Sequence, residues 1–371
     1  MSLRPAIGTV ATQARVSVRT VSRVLNNSKS VSTAMRNRVM TVIRELNYSP
    51  SPTARRLAGH RSRLVGLPFD GPYASYVTDI QSGSMSVFRA TGYQAVMHAC
   101  DSRSTSVVEE IRLFIHSLRV DGILLTPPLS DLREVTDLLS AEGVPYVSIA
   151  PTTRSNPQRS VFTNDREACC WMVRHLHSQG HRRIGYVIGH PDQPGTAQRH
   201  AGYCDGLIAC GLQPSPQLIV QCDSTFFSAI EAARALLDLP AQRRPTAICA
   251  GDDTMAAGVL RLAHELQIDV PGELSITGFG DEPLASQVWP RLTTIRQPLQ
   301  ALAQQAAVLL MQQLLDDSTA EMAFDLPALH SGQEAESSLV LRQSTGRAGR
   351  PAAIATTRAV SYRHAASYNL P

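Results

Sequence analysis

The stretch that decides the reading runs from Val16 to Asn27: Val-Ser-Val-Arg-Thr-Val-Ser-Arg-Val-Leu-Asn-Asn. Ser17 suits an N-cap, because its hydroxyl can accept from an amide of the first helical turn, and a helix is expected over 18–26. Val21, Val24 and Leu25 recur at helical spacing and would face a core, leaving Val18, Arg19, Ser22 and Arg23 outward near the N-terminal half. Working outward, Val10 to Ala14 forms a short apolar and small run consistent with a preceding helix, and Arg15-Val16 makes the turn. After Val31 and the cap Ser32, Met35, Val39, Val42, Ile43 and Leu46 mark a third helix. Asn47-Tyr48-Ser49-Pro50 closes it, since a residue before proline avoids the helical region. Two short helices joined by a tight turn, with a third packed behind, are a helix-turn-helix head.

Charge separates this head from the rest. The 371 residues carry a formal net charge of +4, a length that suggests two or three folded units. Residues 1–63 hold eleven Arg and Lys29, the single lysine of the chain, against one acid, Glu45, for a net +11. Residues 64–341 hold 18 bases and 30 acids, a net −12, and residues 342–371 hold five Arg and no acid, a net +5. Base composition accounts for the preference for Arg over Lys but not for the segregation of sign, which points to a polyanion-facing head on an acidic body. An outward Arg suits guanine, whose O6 and N7 accept from both arms of its planar fork. Ser17, Thr20 and Asn26 can donate to phosphate oxygens near the positive end of the helix dipole.

From Leu64 to Leu341 short apolar runs alternate with amphipathic segments. Strands are expected at 64–67, 94–98, 122–126, 145–149, 183–188, 218–220, 247–250 and 275–279, and helices at 105–118, 166–179, 197–210, 226–238, 254–266 and 298–316. Such alternation implies α/β lobes with parallel sheets covered on both faces. A Pro/Ser/Arg-rich connection near 151–160 divides the strands into two sets of about four, hence two lobes, with a ligand at the carboxyl ends of the strands between them.

The run 16–27, then Val31-Ser32, then Glu45-Leu46-Asn47-Tyr48-Ser49-Pro50-Ser51-Pro52-Thr53-Ala54-Arg55-Arg56-Leu57-Ala58-Gly59, closely resembles the head and hinge of the lactose-repressor/galactose-repressor (LacI/GalR) family of transcription factors. In the body Gly180 to Tyr186, Arg199 to Tyr203, Met255 to Gly258, Ser275 to Phe279 and Leu292 to Pro298 resemble the family's periplasmic-binding-protein-like core, so the likeness covers about 6–345. It implies a helix-turn-helix head at 1–48, a hinge and linker at 49–63, and an effector-binding and dimerisation core at 64–345. The N-lobe would take about 64–160 and 292–320, and the C-lobe about 161–291 and 321–345. The basic tail 346–371 resembles nothing in the family and is expected to be disordered.

The resemblance also implies roles. Val18, Arg19 and Arg23 would read bases, Leu57 of the hinge would wedge into a minor-groove step, and the small Ala54 one turn earlier would let two hinges approach. Arg199 and Asp252 map onto the family's ligand pocket, while the adjacent Asp253 reads better as the N-cap of helix 254–266. Tyr76, Thr126, Asp165, Phe226 and Gln297 are further pocket candidates, with Phe226 a stacking face for a sugar ring. Three departures stand out. Arg15 replaces the usual Gly or Asn at the turn, Thr9 an acid, and Gly280 the first carboxylate of a frequent Gly-Phe-Asp-Asp. Either Asp281 substitutes for that carboxylate, or the ligand brings its own negative charge to Arg199.

Together these features imply a homodimeric, ligand-responsive DNA-binding regulator, most often a repressor in this family. Its partners would be double-stranded operator DNA and a small effector such as a sugar, a sugar acid or a related metabolite. The alternative is a solute-binding protein of the same two-lobed fold without a DNA role. No G-x-G-x-x-G, P-loop, G-x-S-x-G or H-E-x-x-H occurs, so an enzyme is disfavoured, and no cofactor is expected. The seven cysteines (100, 169, 170, 204, 210, 222, 249) include no C-x-x-C, so neither a metal site nor a disulfide framework is expected. The N-terminus lacks the apolar core of a signal peptide and no run is long enough to span a bilayer, which favours a cytoplasmic protein, nucleoid-associated when bound to its operator, with no membrane partner. The +11 head predicts a steep salt dependence. Operator affinity should fall by roughly a thousandfold between about 50 and 200 mM salt, measured by fluorescence anisotropy, and a flat response would contradict the electrostatic reading.

Overall fold

The computed structural model describes residues 6–25, 30–46, 48, 61–71, 74–153, 156–191, 193, 195–315 and 334–349. Asn26, the hinge residues Ala54 and Leu57, and the tail beyond 349 lie outside them. The chain divides into two compact units, one of residues 1–64 with 119–121, which contains the head, and a body of residues 65–118 and 122–371.

The head contains α1 (Ile7–Ala14), α2 (Val18–Leu25) and α3 (Thr33–Glu45). Their apolar faces meet in one core of Val10, Ala14, Val21, Val24, Val39, Val42 and Ile43, closed by Tyr48. Both expected caps form: Ser17 Oγ accepts from the Thr20 amide at 3.1 Å, and Ser32 Oγ from the Met35 amide at 3.4 Å. Arg15 ends α1 in the left-handed region (φ 53°, ψ 50°), and its amide returns to the carbonyls of Ala11 and Thr12. This is the conformation the turn requires and a Cβ disfavours, at a cost of about 1 kcal/mol.

In the body, β1 (Leu64–Phe69), β2 (Gln94–Ala99), β3 (Gly122–Leu125), β4 (Tyr146–Ile149), β5 (Ser160–Thr163) and β11 (Glu334–Ala335) form one sheet in the order β11-β5-β4-β3-β1-β2. A second sheet has the order β7-β6-β8-β9, from Ile219–Gln221, Ile184–Ile188, Ala247–Ala250 and Ser275–Thr277. The registered pairs of both are parallel, from Val65↔Gly122 in the first to Ala247↔Ser275 in the second. Over the first sheet, α4 (Ala74–Thr91) and α12 (Leu299–Leu314) bury Ile80, Phe88, Leu302 and Leu310 against Val65, Leu67 and Leu124. On the second lobe α7 (Asp165–Ser178) packs on α8 (Thr196–Ala209), and α9 (Phe226–Leu237) on α10 (Asp253–Glu265). α5 (Val107–Leu118), α6 (Arg133–Ala141) and α11 (Pro283–Gln287) complete the α-helices among the described residues.

The lobe borders differ from the sequence expectation. Residues 160–163 extend the first sheet through Ser148↔Ser160, and Glu334–Ala335 pair with the same strand, so neither belongs to the second lobe. Conversely Leu292 and Ile295 are buried in second-lobe cores. There β10 (Thr294–Arg296) pairs antiparallel with β12 (Ser338–Val340). The reason is pairing demand: backbone groups at a buried sheet edge need partners wherever in the chain these come from. The C-terminal segment is then laced to the second lobe by Ile276 N to Ser344 O at 2.8 Å, Thr293 N to Ser344 Oγ at 2.8 Å, and the buried His181 Nε2 to Gly346 O at 3.1 Å.

The α4 helix was missed because Gln81-Ser82-Gly83-Ser84 interrupts its apolar stripe. Gly83 is there for contact, since a Cβ at that position would run into the Gln300 carbonyl oxygen of α12. For the turn, Arg15→Gly should relieve the left-handed strain, and hydrogen–deuterium exchange of the head amides in the full chain should slow by about fivefold. Unchanged exchange would mean that Arg15 carries no strain.

Candidate functional site

On α2 the structure sets Val18, Arg19 and Arg23 on the solvent face, with Val18 48% exposed, and turns Val21 and Val24 inward. Thr20 and Ser22 are half-buried, and Ser17 Oγ lies 2.9 Å from Thr20 Oγ1. The exposed strip is therefore two guanidinium groups flanking one small apolar side chain, on a short helix whose own cap is made by Ser17. That is a surface for donors and a methyl-sized contact, the two kinds of group that read base edges in a major groove.

The body holds a cavity of about 760 Å³ at the carboxyl ends of the strands of both sheets. Phe69 ends β1 and Asp70 follows it, Thr126 and Pro127 follow β3, and Asn164 and Asp165 follow β5. From the second sheet come Asp252 after β8 and Phe279 to Glu282 after β9. Parallel strands force this placement, because all their carboxyl ends open on one edge.

A buried polar node organises the floor. Arg199 Nε donates to Asp165 Oδ2 at 3.0 Å, Arg199 Nη1 donates to the Gly251 carbonyl at 2.8 Å, and the guanidinium lies 4.1 Å from the Phe279 ring centre. Gln297 Nε2 donates to the other oxygen, Asp165 Oδ1, at 2.8 Å. Asp165, Arg199 and Gln297 are thus brought together, with Asp165 engaged on both oxygens. Thr126 is 3% exposed and donates to the Pro68 carbonyl at 3.3 Å. Tyr76, in the first turn of α4, lines the cavity; its hydroxyl has no hydrogen-bond partner among the described residues, and burial raises its pKa.

Two expectations are corrected. The N-cap of the helix after β8 is Asp252, whose Oδ1 accepts from the Met255 amide at 2.6 Å, because the helix begins one residue earlier than expected. Asp253 is fully buried instead, accepting from Thr294 Oγ1 at 2.6 Å and from the Glu282 amide at 2.8 Å. Asp281 lines the cavity, and Arg296 Nε and Arg342 Nη2 contact its two oxygens at 2.6 and 2.5 Å, which joins the loop to β10 and the C-terminal segment. Phe226 lies at the start of α9, edge-on to Phe227 and absent from the cavity wall, because its strand β7 is at the sheet's outer edge.

Sequence reasoning missed Glu282 and Ser75. Their bond, Ser75 Oγ to Glu282 Oε1 at 3.0 Å, crosses from the first lobe to the second, and residues 207 positions apart leave no local signal of it. Burial lifts the Asp252 carboxyl to about 6 and that of Asp253 to about 7.

An exposed arginine-bearing helix in a three-helix head, together with a two-lobed body whose cavity lies at strand ends, defines a DNA-binding protein with a small-molecule pocket. Comparison with known proteins narrows this. Residues 6–51 match the model described as "Bacterial regulatory proteins, lacI family", and residues 173–345 match a "Periplasmic binding protein-like domain". The HTH-type transcriptional repressor CytR of Escherichia coli (strain K12) is 32% identical over 313 residues, covering 82% of this chain and 88% of its own. Catabolite control protein A of Priestia megaterium is 30% identical, covering 86% and 95%. The Lac repressor dimer bound to operator and the anti-inducer ONPF superposes with a TM-score of 0.78 at 27% identity, over 93% of this chain and all of that one. The chain belongs to the LacI family and is a DNA-binding transcriptional regulator with an effector-binding core.

The buried Asp253 generates a pH prediction. A carboxyl raised on folding favours the folded state as the neutral acid, fully so below its ordinary value of 3.8, and that contribution is lost as pH rises through about 7. Both tryptophans, Trp171 and Trp289, are in the body, so urea unfolding followed by their fluorescence reports it. Between pH 5 and 8 the wild type should lose roughly a few kcal/mol more than Asp253→Asn. Parallel pH profiles would show that Asp253 is already ionised in the folded protein.

Proposed function

We propose that the protein is a homodimeric repressor whose two heads occupy the halves of a pseudo-palindromic operator and whose affinity is set by an effector bound in the interlobe cavity. The observation that carries the DNA half is the outward Val18, Arg19 and Arg23 strip on a helix whose opposite side, Val21 and Val24, is buried. Arg19 and Arg23 contact bases, Val18 packs on a base methyl, and Ser17, Thr20 and Ser22 set the helix on the phosphates. Asn26, Ala54 and Leu57 act at the end of the helix and in the paired hinges, as in the family.

The effector is a sugar or related small metabolite held by Tyr76, Thr126, Arg199 and Asp252, with Asp165 and Gln297 keeping Arg199 in place. A ligand that favours one arrangement of the lobes changes operator affinity by the same factor that operator changes ligand affinity. The protein acts in the cytoplasm and catalyses no reaction. This is supported by relatives that are transcriptional regulators.

Selection of binding sites from random duplexes with the full chain tests the proposal. It should enrich a two-fold symmetric sequence, and Arg23→Ala should relax one base position in each half at a cost of about 1–3 kcal/mol. Recovery of no preferred sequence would overturn the repressor reading, and an unchanged preference in the variant would remove Arg23 from base reading.

A further inference from the structure

The charges around the cavity constrain what enters it. Among the described residues its wall carries eight carboxylates and two guanidinium groups. Both guanidinium groups are already engaged, Arg166 Nε with Asp205 at 2.6 Å and Arg199 Nε with Asp165 at 3.0 Å. Asp281 is neutralised from behind by Arg296 and Arg342. Asp252 and Glu282 have no arginine or lysine salt-bridge partner among the described residues, although both line the cavity.

Most of the places where an anion would ordinarily be received already meet the protein's own oxygens. The Arg199 fork holds Asp165 and the Gly251 carbonyl. The N-terminus of α8 at Gly195 faces the same Asp165, since a Cβ on Gly195 would lie 2.7 Å from Asp165 Oδ2. The N-terminus of α10 is capped by Asp252. A phosphate or carboxylate ligand would have to displace one of these groups or stand beside Asp252 and Glu282, two carboxylates without a salt bridge among the described residues, in a partly desolvated wall. An ammonium group meets the opposite situation, because it supplies both with a charged donor.

We infer that the effector presents an amino group, or another cationic donor, to Asp252 and Glu282, and that phosphorylated and carboxylated metabolites are rejected. The inference rests on the cavity being the effector site and narrows its ligand to amine-bearing forms of the small metabolites proposed for it. Glu282 also holds Ser75 of the opposite lobe at 3.0 Å, so a cation seated at its carboxylate lies on the contact that joins the two lobes. Because burial lifts Asp252 to about 6, binding an ammonium draws it into the ionised form and releases a proton.

Thermal-shift titrations of the full chain with two matched sets test this: glucosamine, glucose and glucuronate, and 5′-amino-5′-deoxyadenosine, adenosine and adenosine 5′-monophosphate. In at least one set the amine should bind tightest and the anion at least about tenfold weaker than the uncharged parent. Asp252→Asn combined with Glu282→Gln should remove the advantage of the amine, and Asn retains the helix cap, so the unfolding midpoint without ligand serves as the control for folding. Failure of that order in both sets, with an anionic member binding as tightly as its parent or an amine no better than its parent, or no shift from either amine, would overturn the inference. Operator mobility shifts on the same samples separate the two readings. If the amine binds without altering operator affinity, ligand control fails while the charge preference stands.

Discussion

The buried pair of Asp165 with Arg199 is the contact on which the body depends. A carboxylate that is 4% exposed requires a partner, and removing either member would leave an uncompensated buried charge, the most costly defect a core can carry. Asp165 comes two residues after the end of β5 in the first sheet and opens the first helix of the second lobe, so it sits where the chain first crosses. Gln297, in the segment where the chain crosses back, donates to the same carboxylate. One side chain therefore ties both crossings and the cavity floor together. Arg199, stacked on Phe279 and bound to the Gly251 carbonyl, carries that tie to the ends of two second-lobe strands.

Neighbouring carboxylates divide the remaining work by direction. Asp252 caps the helix after β8 and faces the cavity, while Asp253 turns inward and holds Thr294 and the Glu282 amide. Through Glu282 this buried group is connected to Ser75 across the cleft. A continuous set of hydrogen bonds thus runs from the interior of the second lobe to the first helix of the other. Its Gly278 is required, since a Cβ there would collide with the Asp253 carboxylate.

Legibility followed sequence distance. The head was readable almost residue by residue, with both caps, the left-handed Arg15 and the inward Val21 and Val24, because all its contacts lie within one short segment. Helices with a broad apolar face, such as Val107–Leu118 and Asp253–Glu265, fell within two residues of expectation. Ala74–Thr91 did not, because it packs through Gly83 and small polar residues. The strands Ser160–Thr163, Glu334–Ala335 and Ser338–Val340 escaped for a related reason: two to four residues have no measurable period, and their pairing partners are remote. In the pocket, Arg199 and Asp165 were legible as residue types at strand and helix ends, whereas the roles of Asp252, Asp253, Asp281 and Phe226 were assigned by packing.

The sequence by itself determined the class of protein: a basic helix-turn-helix head, an acidic body of alternating strands and helices, and the positions from which polar side chains could enter a cleft. Those properties are written in local periodicity, capping residues and charge, each acting over a few positions. Only the tertiary structure decided which carboxylates remain available in that cleft and which are spent on arginines, helix ends or buried hydroxyls. A carboxylate's availability depends on what lies within hydrogen-bond reach, and for Asp165, Asp281 and Glu282 those partners are 15 to 207 residues away along the chain.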